Sequence, residues 1–140
     1  MEKSKITVEE FTTPSPVSVL STDKLPLVWD VMISKSIRHV LVKDSNNKIL
    51  GVLSQRDLTT FSQSQHFAEI EAQDIMSQDI VTVAPETKLY EVALRMSKDK
   101  IGSAIVYDPV TQDLGIFTAT DALNALVEIL RGDLDKELQI

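Results

Sequence analysis

Short apolar runs rich in β-branched residues alternate with amphipathic segments along this chain, and the alternation occurs twice. In the first half, Pro16-Val17-Ser18-Val19 reads as a strand, followed by a turn at Ser21-Thr22-Asp23. Leu25, Val28 and Met32 then fall at helical spacing. A second strand is expected at His39-Val40-Leu41-Val42, a polar turn at Asp44 to Lys48, and a third strand at Ile49 to Leu53. A second helix starts at Ser54. The second half repeats the order with Ile80-Val81-Thr82-Val83, the stripe Leu89, Val92 and Met96, then Ala104 to Tyr107, Leu114 to Phe117, and a helix from Thr118. Thr22 or Asp23, and Thr87, are the expected N-caps of the first helices. Pro26 sits in the first helical turn, where proline costs little.

Residues 10–57 align without a gap on 74–121, an offset of 64, with 12 identities in 48 pairs, among them Met32/Met96, Gly51/Gly115 and Asp57/Asp121. Chance pairing at ordinary residue frequencies gives about 3. Two copies are too few for an open solenoid, so two β-α-β-β-α units of an α/β (α+β) fold are expected, packed about a pseudo-twofold axis. The boundaries read as an arm or added strand at 1–9, a unit at 10–64, a polar linker at 65–73, a unit at 74–131 and a tail at 132–140. Ala122, Leu123, Leu126, Val127, Ile129 and Leu130 line one helix, with Gly132 as its stop. That face is expected to cover its own sheet, with self-association as the alternative, and Leu134, Leu138 and Ile140 are candidates to extend it.

Composition narrows the classes. With no cysteine there are no disulfides, iron–sulfur clusters or zinc–thiolate sites. The net charge of −7 lies wholly in residues 71–140, and it opposes a nucleic-acid or anionic-membrane partner. No apolar run approaches the ~18 residues of a membrane span, and Glu9 and Glu10 interrupt any signal-peptide core, so a cytoplasmic protein is expected. The chain shows no glycine-rich phosphate loop, nucleophile–base pair or metal-ligand set, so no enzymatic activity is expected. His66 reads as solvated, Met32 and Met96 as core, Trp29 as packing or an interface anchor, and Asp133, Asp135 and Glu137 as a solvated helix edge.

Each third strand runs into its helix through Gly, two apolar residues, Ser or Thr, two further residues and Asp: Gly51-Val52-Leu53-Ser54-Gln55-Arg56-Asp57 and Gly115-Ile116-Phe117-Thr118-Ala119-Thr120-Asp121. Taken alone, the hydroxyl and the acid make a capping box. Recurring at matching places in the repeat, the motif resembles a tandem pair of cystathionine β-synthase (CBS) domains, a Bateman module of the stand-alone kind.

That resemblance implies a regulatory module that binds adenosine-containing ligands (AMP, ADP, ATP or S-adenosylmethionine) in clefts between the two units. It places the ribose hydroxyls on Asp57 and Asp121, with Ser54 and Thr118 beside ribose or phosphate. Adenine would meet the first strand of each unit, at Val17, Ser18 and Val19 and at Val81, Thr82 and Val83. A phosphate in either cleft would meet Arg38, His39 and Arg56; the second unit has Gly102, Ser103 and Thr120 at these positions, which suits a neutral or uncharged ligand tail. The resemblance further implies a homodimer formed through helices, with Trp29 and residues 121–130 as candidate surface, and an effector protein that reads its state. The alternatives are an interaction scaffold with empty clefts and an enzyme acting on a nucleotide.

Overall fold

The computed structural model describes residues 2–132. The tail residues Asp133, Leu134, Asp135, Glu137, Leu138 and Ile140 lie outside the described residues. The elements run β1 (Thr13–Pro14), β2 (Ser18–Leu20), α1 (Leu25–Lys35), β3 (His39–Lys43), β4 (Ile49–Ser54), α2 (Gln55–Phe61), α3 (Ala72–Ile75), β5 (Ile80–Val83), α4 (Leu89–Asp99), β6 (Ser103–Tyr107), β7 (Leu114–Thr118) and α5 (Ala119–Arg131). Single 3-10 turns occupy Lys3–Lys5, Val8–Phe11 and Phe67–Glu69.

The chain forms two compact units, Pro16–Asp79 and Met1–Ser15 with Ile80–Ile140. The first holds a three-stranded sheet ordered β2-β3-β4, with β2 parallel and β4 antiparallel to β3. Leu25, Val28 and Met32 of α1 are buried against Val40, Val42, Leu53 and Leu58, as the helical stripe predicts. The second sheet is ordered β1-β7-β6-β5, and Leu89, Val92 and Met96 pack against Val81, Ala104, Val106 and Phe117. Burying each such side chain contributes about 1.5–3 kcal/mol.

The packed units are offset from the sequence repeat, because each holds the segment that precedes the other repeat. Within residues 2–9, Ile6 and Val8 are 1% and 0% exposed in the core of the second-repeat unit. The stretch 65–73 is likewise more than a linker, since Ile70 packs on the first-repeat core and Ala72 is buried within it. The two insertions correspond bond for bond at the 64-residue offset. Leu25 N–H donates to Ile70 C=O, and Leu89 N–H to Ile6 C=O, at 2.9 and 2.8 Å. Ala72 N–H donates to Asp23 C=O, and Val8 N–H to Thr87 C=O, both at 2.8 Å.

These bonds correct the expected N-caps. Lys24 and Lys88 occupy the cap positions with no side-chain bond, and the inserted carbonyls take the first helical N–H groups. The Asp23 carboxylate instead accepts from Leu20 N–H at 2.9 Å. The same insertions explain the motif glycines. A Cβ on Gly51 would collide with Ser77 C=O, and one on Gly115 with the Thr12 methyl group. Only glycine lets the inserted segments approach so closely, through backbone at Gly51 and chiefly through the Thr12 side chain at Gly115.

The apolar residues of α5 divide between two faces. Ala122, Ala125 and Ile129 face the core, whereas Leu123, Leu126, Val127 and Leu130 are exposed, so the expected cover of the sheet holds for only part of the set. Gly132 ends the helix as expected, at φ 73° with its N–H bonded to Glu128 and Ile129 carbonyls. Trp29 is half-buried against the first-repeat core. His66 is exposed and lies 3.3 Å from the Glu69 carboxylate. No helix among the described residues is long and apolar enough to cross a membrane.

Candidate functional site

In the first-repeat unit, register alone draws most of the predicted residues to one end of the sheet. His39 opens β3 and stands opposite Ser54, the last residue of β4. The two strands are closed there by Gln55 N–H donating to Arg38 C=O at 2.7 Å. Because β2 runs parallel to β3 with Ser18 opposite Leu41, its start lies at the same end, where Val17 C=O accepts from Leu41 N–H at 2.9 Å. Val17, Ser18, Arg38, His39, Ser54, Arg56 and Asp57 thus share one end of one unit.

The backbone of β2 sorts its own residues. A parallel ladder alternates, so Val17 and Val19 pair with β3 and Ser18 directs its N–H and C=O to the sheet's outer edge. That edge offers a donor and an acceptor side by side, the pattern that an aminopurine edge complements. Val19 is a core residue at 6% exposure, so its side chain faces away from this edge. Val17 is half-buried at the rim of the core.

Both motif aspartates build capping boxes. Asp57 Oδ2 accepts from Ser54 N–H at 2.9 Å, and Ser54 Oγ accepts from Asp57 N–H at 3.1 Å. Asp121 Oδ2 accepts from Thr118 N–H at 2.8 Å and from the Thr118 hydroxyl at 3.1 Å. Both carboxylates are half-buried. Among the described residues, Oδ1 of each takes no part in the box, so a second acceptor oxygen stands on a fixed side chain.

The second-repeat unit reproduces the layout with different chemistry. Ser103 stands opposite Thr118, Ala119 N–H donates to Gly102 C=O at 3.2 Å, and Thr82 pairs in register with Ile105 as Ser18 does with Leu41. Thr82 therefore presents its backbone at the edge as Ser18 does; Val81 is buried and Val83 half-buried at the core. Ser103 and Thr118 are 9% and 6% exposed. Arg38 and Arg56 are exposed and His39 half-buried at the matching place in the first unit, so only that unit carries cations there.

Sequence reading missed two features. The inserted segments were signalled by the identity Ile6/Ile70, four residues upstream of the recognised repeat. A cavity of about 270 Å³ in the second-repeat unit lies at the far end of the β6–β7 hairpin, lined by Glu9, Pro14, Asp108 and Asp113, and it contains no predicted site residue. Asp108 is committed locally, accepting from Val110 N–H at 2.9 Å. Among the described residues no cluster of side chains suits a metal ion.

Solved structures share this architecture. A Vibrio cholerae protein provisionally described as an acetoin utilization protein (AcuB) is 34% identical, with 93% of this chain and 96% of that chain covered at a TM-score of 0.69. CBSX2, solved in complex with AMP, is 23% identical, with 89% and 98% covered and a TM-score of 0.66. The CBS domain pair of MJ0100, solved with 5-methylthioadenosine and S-adenosyl-L-methionine, is 21% identical, with 86% and 98% covered and a TM-score of 0.68. The chain spans about a quarter of the length of the curated relatives it matches first. Residues 8–64 and 72–128 each match the CBS domain, so this chain belongs to the CBS domain family and carries two such domains in tandem, a Bateman module.

Proposed function

We propose that this chain is a regulatory module that senses an adenosine-containing ligand, of the AMP, ADP, ATP or S-adenosylmethionine class. The carrying observation is the convergence, at one end of each unit, of an open backbone edge (Ser18 or Thr82), a hydroxyl (Ser54 or Thr118) and a fixed carboxylate (Asp57 or Asp121). Each fits one part of a nucleoside. The edge donor and acceptor suit adenine, and a carboxylate accepts from two cis hydroxyls of ribose. The complexes of CBSX2 with AMP and of MJ0100 with 5-methylthioadenosine and S-adenosyl-L-methionine lend support from the same fold.

Arg38, His39 and Arg56 direct the phosphate-bearing ligand to the first-repeat residues, and the neutral Gly102, Ser103 and Thr120 suit a ligand with an uncharged tail. Signalling follows by population shift: the ligand binds one conformation better and raises its share. Two copies of the chain associate, and an effector protein responds to the assembly. Titration calorimetry with AMP, ADP, ATP and S-adenosylmethionine tests the reading; heat and a rise in thermal midpoint with at least one of them are expected.

One observation favours a second reading, an interaction scaffold that binds no nucleotide. The capping boxes alone account for the Ser/Thr-x-x-Asp motif. No heat and no thermal shift with any of the four ligands would favour it.

A further inference from the structure

The cavity of about 270 Å³ at the turn end of the β6–β7 hairpin contains none of the predicted nucleotide residues and has a chemistry of its own. Gly115 is buried at its floor, and Pro85 and Leu114 supply apolar wall. Glu9 and Asp113 are exposed and so stand at its rim, with Asp108 half-buried among the lining residues. Among the described residues none of these three carboxylates enters an ion pair, and those of Glu9 and Asp113 accept no hydrogen bond either. The duplication supplies a built-in comparison. At the 64-residue offset Glu9, Thr12 and Asp113 correspond to Gln73, Met76 and Ile49, and the neutral Gln112 to Lys48. Met76 packs against the first-repeat core, its sulfur 3.0 Å from where a Cβ on Gly51 would stand. The second repeat thus has a short side chain where the first has a long apolar one, and carboxylates where the first has neutral residues. The fold itself requires neither difference, since the first repeat adopts it without them.

We propose that this cavity binds a small organic cation, an ammonium or guanidinium group on a short aliphatic chain. The site goes beyond the nucleotide reading and does not rest on it. Size, charge and wall chemistry select the ligand. The volume falls below the ~300–1,000 Å³ of pockets that enclose drug-sized ligands, so the occupant is smaller than a nucleotide. Three carboxylates without a cation, in the half of the chain that carries its whole net charge of −7, attract a positive ligand and repel a phosphate, and the apolar walls strengthen that field. The same walls favour an organic cation over a metal ion. Among the described residues no side-chain cluster suits a metal. An alkyl chain, by contrast, covers the apolar surface of Pro85 and Leu114, and its cationic head donates charge-assisted hydrogen bonds to carboxylates at the rim. A guanidinium, with five donors in a planar fork, can engage Glu9 and Asp113 together.

Amide NMR titration of the full chain with agmatine, which joins a guanidinium and an ammonium through a butyl chain, tests this. Butylamine serves as a second cation, 1-butanol as the uncharged control and calcium chloride as the metal control. A ligand of about nine non-hydrogen atoms should saturate in the millimolar range or below, with shifts centred on Glu9, Thr12, Asp113 and Gly115. Glu9→Gln with Asp113→Asn should weaken agmatine by ~10-fold or more. Thr12→Met, which introduces the first-repeat residue and leaves every charge in place, should abolish binding by filling the space while the remaining amide spectrum stays that of the folded chain. A protein carrying Asp57→Asn and Asp121→Asn should bind agmatine as the wild type does, so this site and the nucleotide reading stand or fall separately. No saturable shift with either cation at about 10 mM overturns the proposal. So does equal binding of 1-butanol, the same shifts produced more tightly by calcium, or agmatine binding that neither the carboxylate variant nor Thr12→Met changes.

Discussion

Asp57 and Asp121 each have two tasks open to them, and their two oxygens allow the tasks to be separated. Oδ2 caps a helix, and Oδ1 is available to a ligand. Asp57→Asn keeps an oxygen for the Ser54 N–H and removes the charge, so stability should change by less than about 0.5 kcal/mol while nucleotide affinity falls by ~1.5–3 kcal/mol. Asp57→Ala should lose both, with ~1 kcal/mol of stability from the cap. Chemical denaturation and calorimetry on the two variants read the terms apart; equal ligand affinity in both and in the wild type would leave the motif purely structural. The motif glycines differ in the same legible way. Gly51→Ala meets a backbone carbonyl, whereas Gly115→Ala meets chiefly the Thr12 methyl group. Gly51→Ala should therefore cost more, about 1–3 kcal/mol, and Thr12→Ser should recover part of the Gly115→Ala loss, since a serine hydroxyl keeps the bond to Val8 C=O. Thermal unfolding of the single and double variants measures both.

At the scale of elements, the strands, the helical stripes and the capping boxes were legible because each is written in local periodicity or local spacing. Val28, Met32, Val92 and Met96 sit where a 3.6-residue period places them. What was not legible depends on contacts distant in the chain. The caps of α1 and α4 are carbonyls of Ile70 and Ile6, which no local rule connects to Leu25 and Leu89. The split of α5 into an inner and an outer face required knowing which turn of the helix meets the sheet. Residues 2–9 belong to a core, so their deletion should lower stability by about 3–6 kcal/mol, from the loss of two buried side chains, Ile6 and Val8. A thermal midpoint unchanged by that truncation would return them to the status of an arm.

Across the whole molecule, the duplicated plan carries unequal chemistry. Arg38, His39 and Arg56 correspond to Gly102, Ser103 and Thr120 at the 64-residue offset, and Thr59, Ser62, Gln63 and His66 to the exposed Leu123, Leu126, Val127 and Leu130. Arg38→Ala with Arg56→Ala should weaken ATP and AMP by at least ~10-fold and leave 5′-methylthioadenosine, which has no phosphate, within about twofold. Competition titrations against a fluorescent adenosine analogue compare the three ligands directly, and an equal loss for all three would show that the arginines act on the fold.

The central claim, that this Bateman module senses an adenosine-containing ligand, meets its most direct test in titration calorimetry of the wild-type chain with AMP, ADP, ATP and S-adenosylmethionine. The account predicts saturable heat for at least one of them, reduced by Asp57→Asn or Asp121→Asn. No saturable heat with any of the four at millimolar concentration would contradict it.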